Sequence, residues 1–248
     1  MPEPTLYTFP PSLDSEFSRF LLHHYGVVVR ERRHVIVFQS AVTLARAGTP
    51  RIPALVGVGD HPLDTVEKIL DCLEARAPDD RKLIAHVDEQ QWREDWQLFH
   101  HVLQSASTAF PYYHLLPHRD LMVRALSEGS PALEVAAVRH GYPAFAALLR
   151  VLLRLTPGQA TIARDTIRST LKVIDDRLSD GRPYLYGDRL TIADISFAIA
   201  AAPAVWPDNY GGPLPPLDAT PAPIQDLVAE SRERPSGAFA LRMYREHR

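Results

Sequence analysis

Short β-like runs alternate with helices over the first third of the chain, and helix-period patterning takes over from there to the end. Residues 5–9 form an extended run broken by Pro10 and Pro11. Over 15–25, Phe17, Phe20, Leu21 and His24 fall at helical spacing, and Gly26 supplies the stop. The β-branched run 27–29 predicts a strand, which 35–38 extends, or follows with another, after a basic turn. A short helix over 41–47 ends at Gly48. Residues 51–56 predict an apolar strand with Pro53 at its entrance, a place proline tolerates because it has no ladder N–H to give. A hairpin-like return over 57–61 leads to an amphipathic helix over 64–75 carrying Val66, Ile69, Leu70 and Leu73, and 78–80 is a linker. The order β-α-β-(α)-β-β-α is that of one small α/β domain.

Everything beyond is helical. Trp92, Trp96, Phe99, Leu103 and Ala106 step along 88–110, Pro111 predicts a kink or stop, and helix resumes over 112–126. Two helical segments span 131–155, interrupted near 141–143. The cleanest amphipathic helix covers 157–178, with Pro157 in its first turn. Thr191 and Asp194 stand three apart before the apolar run 195–202, the pattern of a capping box ahead of a buried helix. Residues 203–223, rich in proline and glycine, predict an ordered loop. A short helix near 224–232 then precedes a frayed tail.

Composition narrows the function classes. Apolar residues make up 46% and charged ones 23%, ordinary for a globular protein, and 248 residues suffice for two domains. A net charge of -3 argues against nucleic acid as a partner. No apolar run reaches the length of a membrane span, and the N-terminal residues lack a secretory pattern, so the expectation is a cytoplasmic protein. The single cysteine, Cys72, lies mid-helix and predicts a small core residue, with no internal disulfide. The eleven histidines include the pairs His23–His24 and His100–His101, whose rings diverge on a helix. His114 and His118 stand four apart without an accompanying acid, so no metal site is expected.

Three stretches carry a resemblance. Residues 6–15, with Phe17 and Arg19, are similar to the first strand, active-site loop and first helix of the serine- and cysteine-type cytosolic glutathione transferases. Residues 52–55, followed by Leu63, Asp64 and Thr65, resemble that family's cis-proline segment and its acid–hydroxyl pair. Residues 186–194 resemble its N-capping box and buried core helix. The resemblance implies a thioredoxin-like glutathione-binding domain over 1–78, an all-helical bundle domain over 88–248, and a homodimer. Thr65 stands where serine is usual and Asp64 where glutamate is commoner. The helical region is longer than in ordinary members, with 129–155 the added material, and 30–49 lacks the family's features that grip the glycine end of glutathione.

The same resemblance implies the chemistry. Ser12 would donate its hydroxyl to the sulfur of glutathione, the co-substrate, and stabilise a thiolate, with no histidine needed because serine loses no proton. Ser15, the expected N-cap of the first helix, is a second candidate, and both serines are also ordinary loop or cap residues. Tyr7 is one residue early for a tyrosine-type enzyme and is expected to pack in the strand. A cis bond before Pro53 would expose the main chain of Ile52 to the cysteinyl part of the ligand. Thr65 would take the γ-glutamyl carboxylate and Asp64 the ammonium group. Tyr112, Tyr113, Leu116 and Trp206 are candidates for an apolar pocket for a hydrophobic electrophile, and equally for ordinary core. The activity implied is conjugation or thiol-dependent reduction. A non-catalytic ligand-binding or protein-interaction module is the alternative.

Overall fold

A computed structural model describes residues 3–85 and 87–248. They form two compact units: the first takes in the chain through Arg81 together with Arg119–Pro143 and Gly211–Pro215, and the second Lys82–His118, Ala144–Tyr210 and Pro216–Arg248.

The first unit is built on β1 (Thr5–Thr8), β2 (Arg30–Arg33) and β3 (Ala54–Val56), in the order β2-β1-β3, with α1 (Leu13–His24), α2 (Ile36–Ala47) and α3 (Val66–Glu74) between and after them. β1 runs parallel to β2, pairing Tyr7 with Arg32, and antiparallel to β3, pairing Tyr7 with Ala54. This is a thioredoxin-like β-α-β-α-β segment. A fourth strand is reduced to one bridge, in which Leu55 and Leu63 exchange main-chain hydrogen bonds of 2.9 Å. The period of two along a strand divides the sheet faces. Tyr7 and Ala54 cluster with Val42 and Ala47 of α2, so Leu6 and Leu55, both fully buried, turn to the opposite face. Two helices from later in the chain, α6 (Arg119–Ser127) and α7 (Ala132–His140), complete the unit.

Two expectations fail here. Residues 27–29 are not a strand; Val28 is 89% exposed, and the strand is the charged run beside it. β2 pairs on one side only, and an edge strand carries charge without loss of core. Residues 35–38 open α2 instead of extending a strand. The buried positions of this helix include Gln39, Thr43 and Ala47, whereas Val37 and Leu44 face solvent. With polar residues on the inner face, the apolar periodicity misreports the helix.

The second unit is helical: α4 (Glu89–Trp96), a π-helical segment (Gln97–Leu103), α5 (Gln104–Leu115), α8 (Tyr142–Leu152), α9 (Pro157–Leu178), α10 (Ile192–Val205), α11 (Ala222–Arg232) and α12 (Pro235–His247). α10 is buried at every position except Pro203 and packs against α4, α5, α11 and α12. Asp194 closes the capping box with Thr191 at its head. Asp194 Oδ2 accepts from the Thr191 N–H and hydroxyl, both at 2.7 Å, and Oδ1 from the Leu185 N–H at 2.7 Å.

The expected break at Pro111 does not occur; α5 runs through it to Leu115, held by the buried side chains of Ala106, Phe110 and Leu115. Pro203 likewise sits inside α10. Tertiary packing outweighs the lost hydrogen bond at both places. The expected frayed tail is instead α12, whose Phe239, Ala240, Met243 and Tyr244 are buried. Gly237 permits the turn into it: a Cβ there would lie 1.8 Å from the Ser231 carbonyl oxygen. Among the described residues, no helix is long and apolar enough to cross a membrane.

Candidate functional site

The C-terminal end of β1 gathers the loops that carry Ser12, Ile52, Pro53, Asp64 and Thr65. In open α/β sheets this end of the strands is where ligands bind. The chain leaves β1 at Thr8 and reaches Ser12 within a tight turn, the Ser12 N–H donating to the Phe9 carbonyl at 3.1 Å. β3 is antiparallel and begins opposite Tyr7, so Pro53 lies beside the start of that turn. The Ile52–Pro53 bond is cis. Among the described residues, the Ile52 main chain makes no hydrogen bond.

Ser12, and not Ser15, is the N-cap of α1: its Oγ accepts from the Ser15 N–H at 3.3 Å. Ser15 is fully buried, and its Oγ accepts from the Phe9 N–H at 3.2 Å, bracing the turn from inside. Ser12 is half-buried. Thr65 caps α3 in the same way, accepting from the Lys68 N–H at 3.2 Å.

Asp64 precedes that cap with both carboxylate oxygens engaged. Lys68 Nζ donates to Oδ1 at 2.6 Å, and the Thr49 hydroxyl donates to Oδ2 at 2.7 Å. The Lys68 hydrogen bond, aided by Thr49 against a smaller burial cost, holds this carboxyl below its ordinary range. Thr49 also accepts from the Arg51 N–H at 3.3 Å, which ties the Pro53 loop to the start of α3.

Beneath the site lies a charged cluster absent from the sequence expectations. Arg19 donates to Glu16 at 3.1 Å and to Glu31 at 2.7 Å, while the Thr8 hydroxyl donates to Glu31 at 2.6 Å. A second buried pair joins His34 Nδ1 to Glu134 Oε1 at 2.7 Å, and Glu134 Oε2 accepts from the Val35 N–H at 2.8 Å. Glu134 stands 100 residues from His34 in sequence, and no local pattern could have paired them.

The apolar candidates lie in the other unit. Tyr113 lines a cavity of about 460 Å³ with Phe110, His114 and Leu227. Tyr112, Leu116 and Trp206 are not among its lining residues; Leu116 and Trp206 are buried, and burial raises the Tyr112 phenol above its ordinary value. Cys72 is half-buried within α3. Among the described residues, no group of three or more His, Cys, Asp and Glu could hold a metal ion.

A family model, the glutathione S-transferase C-terminal domain, matches residues 90–222, more than half of the chain. Solved structures are similar over 80% or more of its length. A glutathione S-transferase from Sinorhizobium meliloti 1021 matches at 20% identity, covering 97% of this chain and 92% of that one, with a TM-score of 0.55. Glutathione transferase GSTFuA3 from Phanerochaete chrysosporium matches at 16% identity over 80% and 82%, with a TM-score of 0.58. A glutathione transferase homologue from Sulfitobacter, solved with bound glutathione, matches at 18% identity over 96% of each chain, with a TM-score of 0.51. At such identities these structures speak for the fold alone. No curated protein matches the chain.

Proposed function

The chain belongs to the glutathione S-transferase family through its C-terminal domain, and on that premise we propose that it is a glutathione transferase-like enzyme. It binds glutathione at the C-terminal end of β1 and presents the sulfur as a thiolate to a hydrophobic electrophile or a reducible substrate. The observation that carries this reading is the hydroxyl of Ser12. Its oxygen spends a lone pair on the Ser15 N–H, which leaves the O–H as a donor at the mouth of the loop. The first-turn N–H groups of α1 add positive potential there.

In this reading Ser12 donates to the glutathione sulfur and lowers the thiol pKa. The thiolate electron pair then forms the new bond to the electrophile, and the leaving group or the displaced π electrons take up the charge. Ile52 offers its main chain to the cysteinyl part of the ligand. The Thr65 hydroxyl and the first-turn N–H groups of α3 receive the γ-glutamyl carboxylate, and Asp64 the ammonium. The glutathione-binding domain spans 1–78 and the helical domain 88–248. The hydrophobic electrophile would contact Tyr112, Tyr113, Leu116 and Trp206. The working form is a homodimer in the cytoplasm, checked by a light-scattering mass twice the 27.8 kDa of one chain.

Asp64 favours a second reading, a non-catalytic ligand-binding or interaction module, because its two oxygens are already satisfied by Thr49 and Lys68. Calorimetric titration with glutathione, followed by a panel of electrophiles and hydroperoxides, separates the readings. Binding with turnover supports the enzyme. Binding without turnover supports a carrier, and absence of binding overturns the enzyme and favours the interaction module.

A further inference from the structure

α2 and α7 leave a cavity of about 560 Å³ against the sheet of the first unit, within the size range of small-molecule sites. None of Ser12, Ile52, Pro53, Asp64 and Thr65 lines it. The period of two along the strands explains its make-up. Tyr7 and Arg32 are register partners and so share the sheet face that α2 covers. Tyr7 and Val42 supply an apolar wall, and Arg32 and Arg46 bring two guanidinium groups to the same space.

Charge decides what this space would hold. Among the described residues neither Arg32 nor Arg46 has a hydrogen-bond or ion-pair partner, although most arginines of this chain do. The lone carboxylate in the lining, Glu134, is spent: one oxygen accepts from His34 and the other from the Val35 N–H. Because Glu134 occupies His34 Nδ1, the remaining ring nitrogen, Nε2, is the one left for a ligand. His34 lies nearly parallel to Tyr7, with ring centroids 6.2 Å apart and planes 20° apart, so the two stacked rings both border the cavity. The cavity thus joins an aromatic and aliphatic wall to uncompensated positive charge.

We propose that this cavity is a binding site for a small amphipathic organic anion, a molecule with an apolar aryl or alkyl body and a carboxylate or sulfonate head. The body lies along Tyr7 and Val42, and the head is held by Arg32 and Arg46, whose planar forks match two-oxygen anions. The site depends on α7, which supplies Glu134. It therefore gives part of the extra helical segment a role, and it does not rest on the thiol reading of Ser12.

The test is calorimetric titration of the full chain with phenylbutyrate and with its uncharged amide, phenylbutyramide, in the presence and absence of glutathione. Three proteins are compared: wild type, the double variant R32Q/R46Q, and A45W, which fills the cavity from the exposed side of α2. Wild type is expected to bind one equivalent of phenylbutyrate, with or without glutathione, and about tenfold more tightly than the amide. The double variant should lose that preference while still binding the amide, and A45W should bind neither. All three should melt alike, since Arg32, Ala45 and Arg46 are exposed. Any of three results overturns the site: no binding of phenylbutyrate by wild type, equal affinity for acid and amide, or binding indifferent to R32Q/R46Q and A45W. Failure to bind glutathione would instead count against the thiol site alone.

Discussion

Lys68 Nζ sits 2.6 Å from Asp64 Oδ1, so the first turn of α3 occupies the carboxylate that is proposed to receive a ligand's ammonium group. Lys68 is the movable partner, its side chain 55% exposed against 13% for Asp64. A ligand ammonium would exchange with it at little cost, since an exposed ion pair is worth on the order of 1 kcal/mol or less. Asp64→Asn should weaken glutathione binding by about tenfold, the loss of one charged hydrogen-bond partner. Lys68→Met should tighten it modestly by removing the competitor. Should Lys68→Met weaken binding as much as Asp64→Asn, Lys68 is the ligand contact and Asp64 only its holder.

Ser12 is an N-cap and, in the proposed reading, the donor to the thiolate, two roles that a single alanine substitution would confuse. As N-cap of α1 it contributes stability; Ser12→Ala should cost about 1 kcal/mol and lower the thermal midpoint as well as the turnover. Glycine at an N-cap costs only a few tenths of a kcal/mol, so Ser12→Gly removes the hydroxyl and keeps most of the fold. Turnover with glutathione should fall by about two orders of magnitude in Ser12→Gly, as for loss of one hydrogen-bond donor to a developing anion. The apparent thiol pKa in the complex should rise with it. Full turnover in the glycine variant would remove Ser12 from the chemistry.

Glu31 fixes the acid side of the stability profile. Burial alone would raise its carboxyl, but Arg19, by charge and hydrogen bond, and the Thr8 hydroxyl outweigh burial and leave it below its ordinary value. The unfolded chain therefore takes up this proton first as pH falls. The stabilisation is full above the ordinary carboxylate range and is lost as pH drops through the lowered native value. Melting curves across the acid range should fall less steeply for Glu31→Gln than for wild type, from a lower starting midpoint. Parallel curves would mean that Glu31 does not titrate with unfolding.

Several elements were legible because their signals are local. The capping box of Thr191 and Asp194, the helix Pro157–Leu178 and the apolar strand behind Pro53 each follow from neighbouring residues. α2 was half hidden because its inner face carries Gln39 and Thr43, and α12 because its burial depends on partners elsewhere in the chain. The loops bearing Ser12, Pro53 and Asp64 could be named from the sequence, but their meeting depends on the register of Tyr7 with Ala54 and on Thr49 bridging to Asp64. Glu134 was out of reach altogether: its role is fixed by a contact with His34, and nothing around either residue marks it.

Asp194 inverts the pH logic of Glu31. Burial, the largest influence, pushes its carboxyl up to about 6, against the pull of donors from Leu185 and Thr191. Across the window from the ordinary carboxylate value up to about 6, the native state holds this proton and the unfolded chain does not. Its contribution to stability therefore falls as pH rises through that window. Asp194→Asn keeps the shape and cannot ionise, so its stability should be flatter than that of wild type over the same range. Asp194→Ala leaves the Leu185 and Thr191 N–H groups without this acceptor in the core, which should cost roughly 2 kcal/mol or more. Thr191→Ala, which removes the capping hydroxyl, should cost about 0.5–2 kcal/mol. Activity should decline only as far as the folded fraction does. An Asp194→Ala protein that melts like wild type yet has no turnover would move Asp194 from the fold to the chemistry.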